Sequence, residues 1–167
     1  MRILLIRHAK AEDQEEFART GKSDDERPLT DDGKSEMRGA ARGLAAIAKD
    51  IDVLASSPLV RATQTADVVA HEFRYAERQV TASMRPDTPF DEFALWAASH
   101  AERQLLAAVG HNPHISALAC WMIGAPLSAI DMKKGAALLI EFEGRVAEGA
   151  GSLLWYLKPS QLRKLKG

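Results

Sequence analysis

The chain has 167 residues, of which 46% are hydrophobic and 27% charged, proportions that fit one globular domain spanning 1–167 with a full core. A net charge of -1 excludes broad electrostatic attraction to nucleic acid or anionic lipid, so any anion site must be a local cluster. The single cysteine, Cys120, excludes an intrachain disulfide and a cysteine-built zinc site; its apolar flanks point to a buried helical thiol. No stretch is long and apolar enough to span a bilayer, and the N-terminal apolar run is too short for a signal peptide, so a cytoplasmic protein is expected.

Residues 2–7 form a continuous aliphatic run, the pattern of a central parallel strand covered on both faces. The polar stretch 11–28 reads as an irregular loop. Thr30 then caps a helix whose apolar positions Met37, Ala40, Ala41, Leu44 and Ile47 follow the helical period, with Asp31 and Asp32 favouring the dipole in its first turn. A second short strand is expected over 52–56, followed by Ser57-Pro58 as N-cap and first-turn proline of a helix with Leu59, Ala62, Ala66, Val69 and Phe73 on one face. A third strand is expected over 79–84, and a helix over 90–99 with Phe90, Phe93, Trp96 and Ala97 inward.

Residues 105–110 make another aliphatic run, and Asn112-Pro113 reads as the start of a helix that buries Ile115, Leu118, Ala119 and Met122. Two strand-like segments close the chain as a hairpin, and the basic tail 162–167 is expected to fray into solvent. Strands alternating with helices predict a three-layer α/β sandwich, a mostly parallel sheet with helices on both faces.

The chemistry-bearing residues follow strand ends. Arg7 and His8 terminate the first run, Arg61 lies in the helix after the second strand, and His111 follows the run 105–110. Sites in open α/β sheets form in the crevice outside the carboxyl ends of the strands. Two guanidiniums and two imidazoles converging there, near helix N-termini, suit a phosphate-like anion. Each residue alone has a plainer reading: a structural histidine, a surface arginine paired with a carboxylate such as Asp67, a polar strand exit. Their equivalent placement in three separate connections favours the site. His71 and His100 are expected at the surface, and His111 with His114 straddle a helix start, which suits no metal pair. Arg27 is placed either to reach a substrate phosphate or to form a structural salt bridge.

The segments "LLIRHAKA", "RPLTDDGKSEMRGAA", "SSPLVRATQTA" and "VGHNPHI", in this order, resemble the histidine phosphatase superfamily with its phosphoglycerate-mutase-like fold, and most nearly its short SixA-like protein-phosphohistidine phosphatases. The resemblance implies that His8 is a nucleophile that becomes phosphorylated, and that Arg7, Arg61 and His111 hold the transferring phosphoryl group. It implies a hydrolase that needs no metal or other cofactor and acts on a phosphorylated substrate, a phosphohistidine-bearing protein being the first choice. Small phosphate esters are the nearest rival, a mutase is disfavoured, and a non-catalytic phosphate-binding module is the rival of another class.

The sequence departs from the wider family in places. Ala9 replaces a glycine, Ala11 and Gln14 replace the serine and asparagine of the mutases, and the insertions that close over small sugar phosphates are missing, which favours a bulky substrate. The mutases carry a glutamate in the loop after the third strand; Asp87 is the loop carboxylate available here. Chemically, His8 must be neutral to attack, so its far ring nitrogen should donate to a backbone carbonyl, while Arg7 and Arg61 lower its pKa.

Overall fold

The run Ile3-Leu4-Leu5-Ile6 is fully buried because it lies in the middle of a sheet with helices on both sides. The computed structural model describes residues 1–48 and 50–165. Strand β1 (Arg2–Arg7) pairs in parallel with β4 (Leu105–Gly110), which pairs in parallel with β2 (Val53–Ser56), which pairs in parallel with β3 (Glu77–Val80). On the other side of β1 lie antiparallel β5 (Ala137–Glu141) and then β6 (Ser152–Leu157), giving the order β3-β2-β4-β1-β5-β6. The last two strands are the expected antiparallel neighbours.

Strand side chains alternate between faces, so each aliphatic run feeds two cores. Leu4, Ile6, Leu54, Ala107 and Val109 face one core, closed by the helices α2 (Asp31–Ile47) and α3 (Val60–Ala70). Ile3, Leu5, Val53, Leu106 and Ala108 face the other, closed by α4 (Phe90–Ala98) and α5 (His114–Ile123). The expected α/β sandwich is the observed architecture. Met37, Ala40, Ala41 and Leu44 of α2, and Ile115, Leu118, Ala119 and Met122 of α5, face inward as their spacing predicts, and Cys120 is buried.

Several elements differ from the expectation. The stretch 11–28 holds a one-turn helix α1 (Gln14–Ala18) and a 3-10 turn, Asp24–Glu26. Both are fixed by caps rather than by an apolar stripe: Asp13 accepts from the backbone of Glu15 and Glu16, and Ser23 with Glu26 forms a reciprocal capping box. Elements this short carry no helical period, so hydrophobic pattern cannot reveal them. Strand β3 ends at Val80, and Thr81 caps a second 3-10 turn over Ala82–Met84.

Helix α3 begins at Val60; Ser57 instead accepts from the Leu59 amide, capping the tight turn that precedes it. Helix α5 begins at His114, and the Asn112 side chain bonds Asp131 and Met132 instead of capping it. The tail is not frayed over its described part: Pro159–Leu162 forms α6, and Leu162 is fully buried beside α2. Gly43 permits this approach, because a Cβ there would strike the Leu162 carbonyl. Lys166 and Gly167 lie outside the described residues.

Candidate active site

The register of the parallel strands sets the site. Arg7 of β1 lies abreast of Gly110 of β4, so His8 and His111 leave the sheet side by side. The His8 amide donates to the Gly110 carbonyl at 3.0 Å, and the two imidazole centroids are 5.1 Å apart with planes tilted by 49°. In the neighbouring strand, Ser57 donates to Val109 at 3.0 Å, which brings the start of α3 to the same edge. Arg61, the second residue of α3, is thereby delivered to the two histidines. Thr65 locks this arrangement: its hydroxyl donates to the Arg61 carbonyl at 2.7 Å and accepts from the Ala9 amide at 3.1 Å.

The His8 ring is buried, and its Nδ1 lies 2.7 Å from the Ala9 carbonyl. A carbonyl can only accept, so Nδ1 carries the proton and Nε2 presents its lone pair. Burial is the largest influence on the pKa of His8, lowering it to about 3; Arg61, Arg7 and Lys134 add to the shift, against the hydrogen bond to Ala9. The sequence expectation named the two arginines as the cause; desolvation outranks them because the ring sits under the strand end and away from water. His111 is pushed down to about 2, again first by burial and then by His8 and Arg61.

Both arginines are anchored at their far ends. Arg7 donates from Nη1 to the Met132 carbonyl at 2.6 Å. That carbonyl also accepts from Asn112 Nδ2 at 3.1 Å; Ser116 donates to Asn112 Oδ1 at 2.6 Å and accepts from the Met132 amide at 3.0 Å. Arg61 donates from Nη1 to the Asp24 carbonyl at 2.8 Å, and its Nη2 is 3.1 Å from Asp24 Oδ2. Four buried nitrogens at this edge have no partner among the described residues: Nε of Arg7, Nε of Arg61, and Nδ1 and Nε2 of His111. Neutral His111 carries one N–H and one lone pair, so three of the four are donors; unsatisfied buried donors are costly, and a tetrahedral oxyanion supplies acceptors that would relieve them.

The four residues Arg7, His8, Arg61 and His111 are thus together. Arg27 is engaged by Asp24 Oδ1 at 2.7 Å and by the Glu12 carbonyl at 2.8 Å, the salt-bridge alternative of the sequence reading. It lies close enough to His111 and Arg61 to depress both pKa values. Sequence reasoning missed Asp24, the Asn112–Ser116 network, Thr65 and Lys134. Only Asp24 left a trace, as the acid of an i, i+3 pair with Arg27. His71 is exposed as expected, but His100 is half-buried, bonding Gln79 and the Trp96 carbonyl. A surface depression of about 1420 Å³ lies at the opposite edge of the sheet, lined by Arg2, Asp52, Gln104 and Glu141 among others. Several of its polar groups pair with one another: Arg2 with Glu141, Asp52 with the amides of Gln104 and Leu105, and Arg103 with Glu102.

Residues 3–86 match the sequence profile of the histidine phosphatase superfamily (branch 1). The chain belongs to this superfamily. An uncharacterized protein of Picosynechococcus sp. is 30% identical over 120 residues, which cover 69% of this chain and 68% of that protein. The tungstate complex of the protein histidine phosphatase SixA superposes with a TM-score of 0.82 at 21% identity, covering 97% of this chain and 99% of that one. The alpha-ribazole phosphatase of Shigella flexneri superposes with a TM-score of 0.70 at 18% identity, covering 92% of this chain and 94% of that one. The chain has the phosphoglycerate-mutase-like fold expected from its motifs.

Proposed function

We propose that this chain is a phosphatase that works through a phosphohistidine on His8, and that its substrate is phosphohistidine carried by a protein. One observation carries the reading: a histidine fixed with its lone pair outward stands beside four buried nitrogens that lack partners among the described residues. In the first half-reaction, the Nε2 lone pair of His8 attacks phosphorus and the bond to the leaving group breaks, its electron pair departing with that group. Arg7, Arg61 and His111 receive the equatorial oxygens, the electrostatic work that phosphoryl transfer asks of a protein. In the second, the oxygen of a water attacks phosphorus, the P–N bond breaks, its electron pair returns to Nε2, and the water's proton passes to solvent. Arg27 adds positive charge from behind Asp24, and neither half-reaction calls for a metal.

Two things support the substrate. The chain and the SixA that binds tungstate, a tetrahedral oxyanion, cover each other almost end to end, which leaves no sizeable insertion to fold over the crevice. The imidazoles at the edge hold no proton suited to an alkoxide leaving group, since burial keeps His8 and His111 neutral. Phosphohistidine needs no such proton. The similarity to an alpha-ribazole phosphatase favours a small phosphate ester as the second reading. A panel of a phosphohistidine protein, an aryl phosphate and sugar or glycerate phosphates, assayed by phosphate release, separates the two. Fastest turnover of the phosphohistidine protein is expected; a faster sugar or glycerate phosphate would establish the rival.

A further inference from the structure

Arg7 and Arg61 are held by one device. Each gives an Nη1 hydrogen bond to a backbone carbonyl, Met132 for Arg7 and Asp24 for Arg61, and each is left with a buried Nε that has no partner among the described residues. Arg7 has no carboxylate within ion-pair distance among the described residues, whereas Arg61 also pairs with the Asp24 carboxylate through Nη2 at 3.1 Å. Asp24 therefore meets the outer edge of the Arg61 guanidinium twice, once with its main chain and once with its side chain.

Asp24 is itself immobilised. It begins the 3-10 turn closed by the Ser23–Glu26 capping box, its Oδ1 accepts from Arg27 Nε at 2.7 Å, and the adjacent Asp25 pairs with Arg85 at 2.9 Å. Burial pushes the Asp24 carboxyl up, but its bonds to Arg27 and Arg61 outweigh this and hold it below the usual carboxylate range. It is an anion at neutral pH.

We propose that Asp24 is a positioning residue, which clamps the outer edge of Arg61 so that its Nε–H edge faces the transferring phosphoryl group. The proposal rests on the reading of Arg61 as a phosphoryl ligand. Two features separate the clamp from an internal competitor that blocks the site. Asp24 takes the Nη groups and leaves Nε, the buried nitrogen that still lacks an acceptor, free. Its carbonyl contact is also main-chain, and a substrate cannot displace that without unfolding the turn. A planar guanidinium fixed along one edge has its other edge aimed, with no reorganisation at the moment of reaction.

The test uses the full chain with Asp24→Asn, Asp24→Ala, Arg61→Ala and the Asp24→Asn/Arg61→Ala double variant. Turnover of an aryl phosphate and calorimetric binding of tungstate are measured for each. Asp24→Asn keeps the shape and loses the charge, so kcat should fall about tenfold with KM little changed, short of the roughly hundredfold that a 1 Å misplacement can cost. Asp24→Ala should lose at least as much, and tungstate should bind both variants more weakly than wild type. In the Arg61→Ala background the Asp24 substitution should cost almost nothing, because a clamp with nothing to hold has no effect. Tighter tungstate binding by Asp24→Asn overturns the proposal in favour of a competitor. An undiminished tenfold loss in the Arg61→Ala background overturns it in favour of a purely structural role. Wild type that binds no tungstate and turns nothing over overturns the clamp together with the phosphatase reading.

Discussion

His8 and His111 face each other across matched strand ends, their ring centroids 5.1 Å apart, and both are buried beside Arg61. Two imidazoles this close cannot both be charged in a dry crevice that already holds two guanidiniums. The fold therefore keeps both neutral, one as a lone-pair donor and the other as a polar contact for an incoming anion.

That neutrality has a measurable sign. The folded-state pKa values of His8 and His111, about 3 and about 2, lie below the 6.5 of an unfolded histidine. Between pH 6.5 and these values the unfolded chain binds protons that the folded chain does not, so acidification destabilises the fold. Each imidazole contributes a slope of about 1.4 kcal/mol per pH unit, and buried His114, shifted in the same direction, adds to it. Urea unfolding followed from pH 6 to 4.5 should show stability falling with pH, and His8→Ala should remove the share of one group. An unchanged slope in that variant would mean that His8 titrates normally.

His8→Ala is expected to abolish turnover and keep the fold. The ring is buried, so the change is not free: it deletes the bond to Ala9, worth about 1 kcal/mol, and a small apolar contact. A melting point lowered by a few degrees with native circular dichroism is the expected result. Wild type quenched during turnover should carry acid-labile, base-stable phosphate on His8. Recovery of the label on a serine or aspartate would refute the mechanism.

Arg61→Ala should lower kcat/KM by at least roughly 10²–10³, the value of one preorganised donor to developing charge. His71→Ala is the matched control, because His71 is exposed and away from the crevice. His100→Ala is not a neutral control, since its ring packs at a tilt against Trp96 and bonds Gln79. Vanadate should inhibit wild type and bind Arg61→Ala weakly; equal affinity in both would place Arg61 outside the pocket.

Much of this site is legible in the sequence because strand ends announce themselves. A continuous aliphatic run stops where burial stops, and Arg7, His8 and His111 stand just past two such stops. The parallel register that brings them abreast follows from the sheet. What holds them in place is not legible. Asp24 reaches Arg61 across 37 residues from a three-residue turn, and Met132 joins the Asn112–Ser116 pair from 16 residues beyond Ser116. Polar contacts of this kind leave no period in the sequence. Asn112 even resembles a helix cap, because asparagine before proline suits both roles until the partners are known.

Gly33→Ala should destabilise the protein and disturb the segment after His8. Gly33 lies in the first turn of α2, its amide bonded to the Thr30 cap, and a Cβ there would be driven into the backbone carbonyl of Lys10. That carbonyl accepts from the Thr30 amide at 3.0 Å, so it cannot yield without breaking the cap region. Overpacking costs roughly 1–3 kcal/mol, offset only in part by the helix propensity of alanine. Gly144→Ala, where a Cβ meets open space, should stay within about 0.5 kcal/mol. Chemical denaturation of both variants checks the contrast; equal stability would mean that the α2–Lys10 contact is looser than described.

Asp87 is exposed, in the connection between the 3-10 turn Ala82–Met84 and α4, and the next residue is fixed at both ends: His114 Nε2 meets the Thr88 carbonyl at 2.9 Å, and the Thr88 hydroxyl donates to Ala82 at 2.9 Å. The turn thus holds Asp87 next to the residue that meets His114, three residues along from His111. An alkoxide must be protonated as it leaves, because its conjugate acid is about as weak as water, with pKa near 15.7. A protonated phosphoimidazole expels neutral imidazole, whose conjugate acid has a pKa of about 6.5, and asks for no acid. A carboxyl open to solvent is loosely held for the first task and irrelevant to the second. The expected order of kcat/KM is phosphohistidine peptide above aryl phosphate above alkyl phosphate, with Asp87→Asn changing the first by less than twofold. If the alkyl ester is turned over as fast as phosphohistidine, and Asp87→Asn removes that activity alone, Asp87 is the acid and the small-ester reading replaces the one proposed.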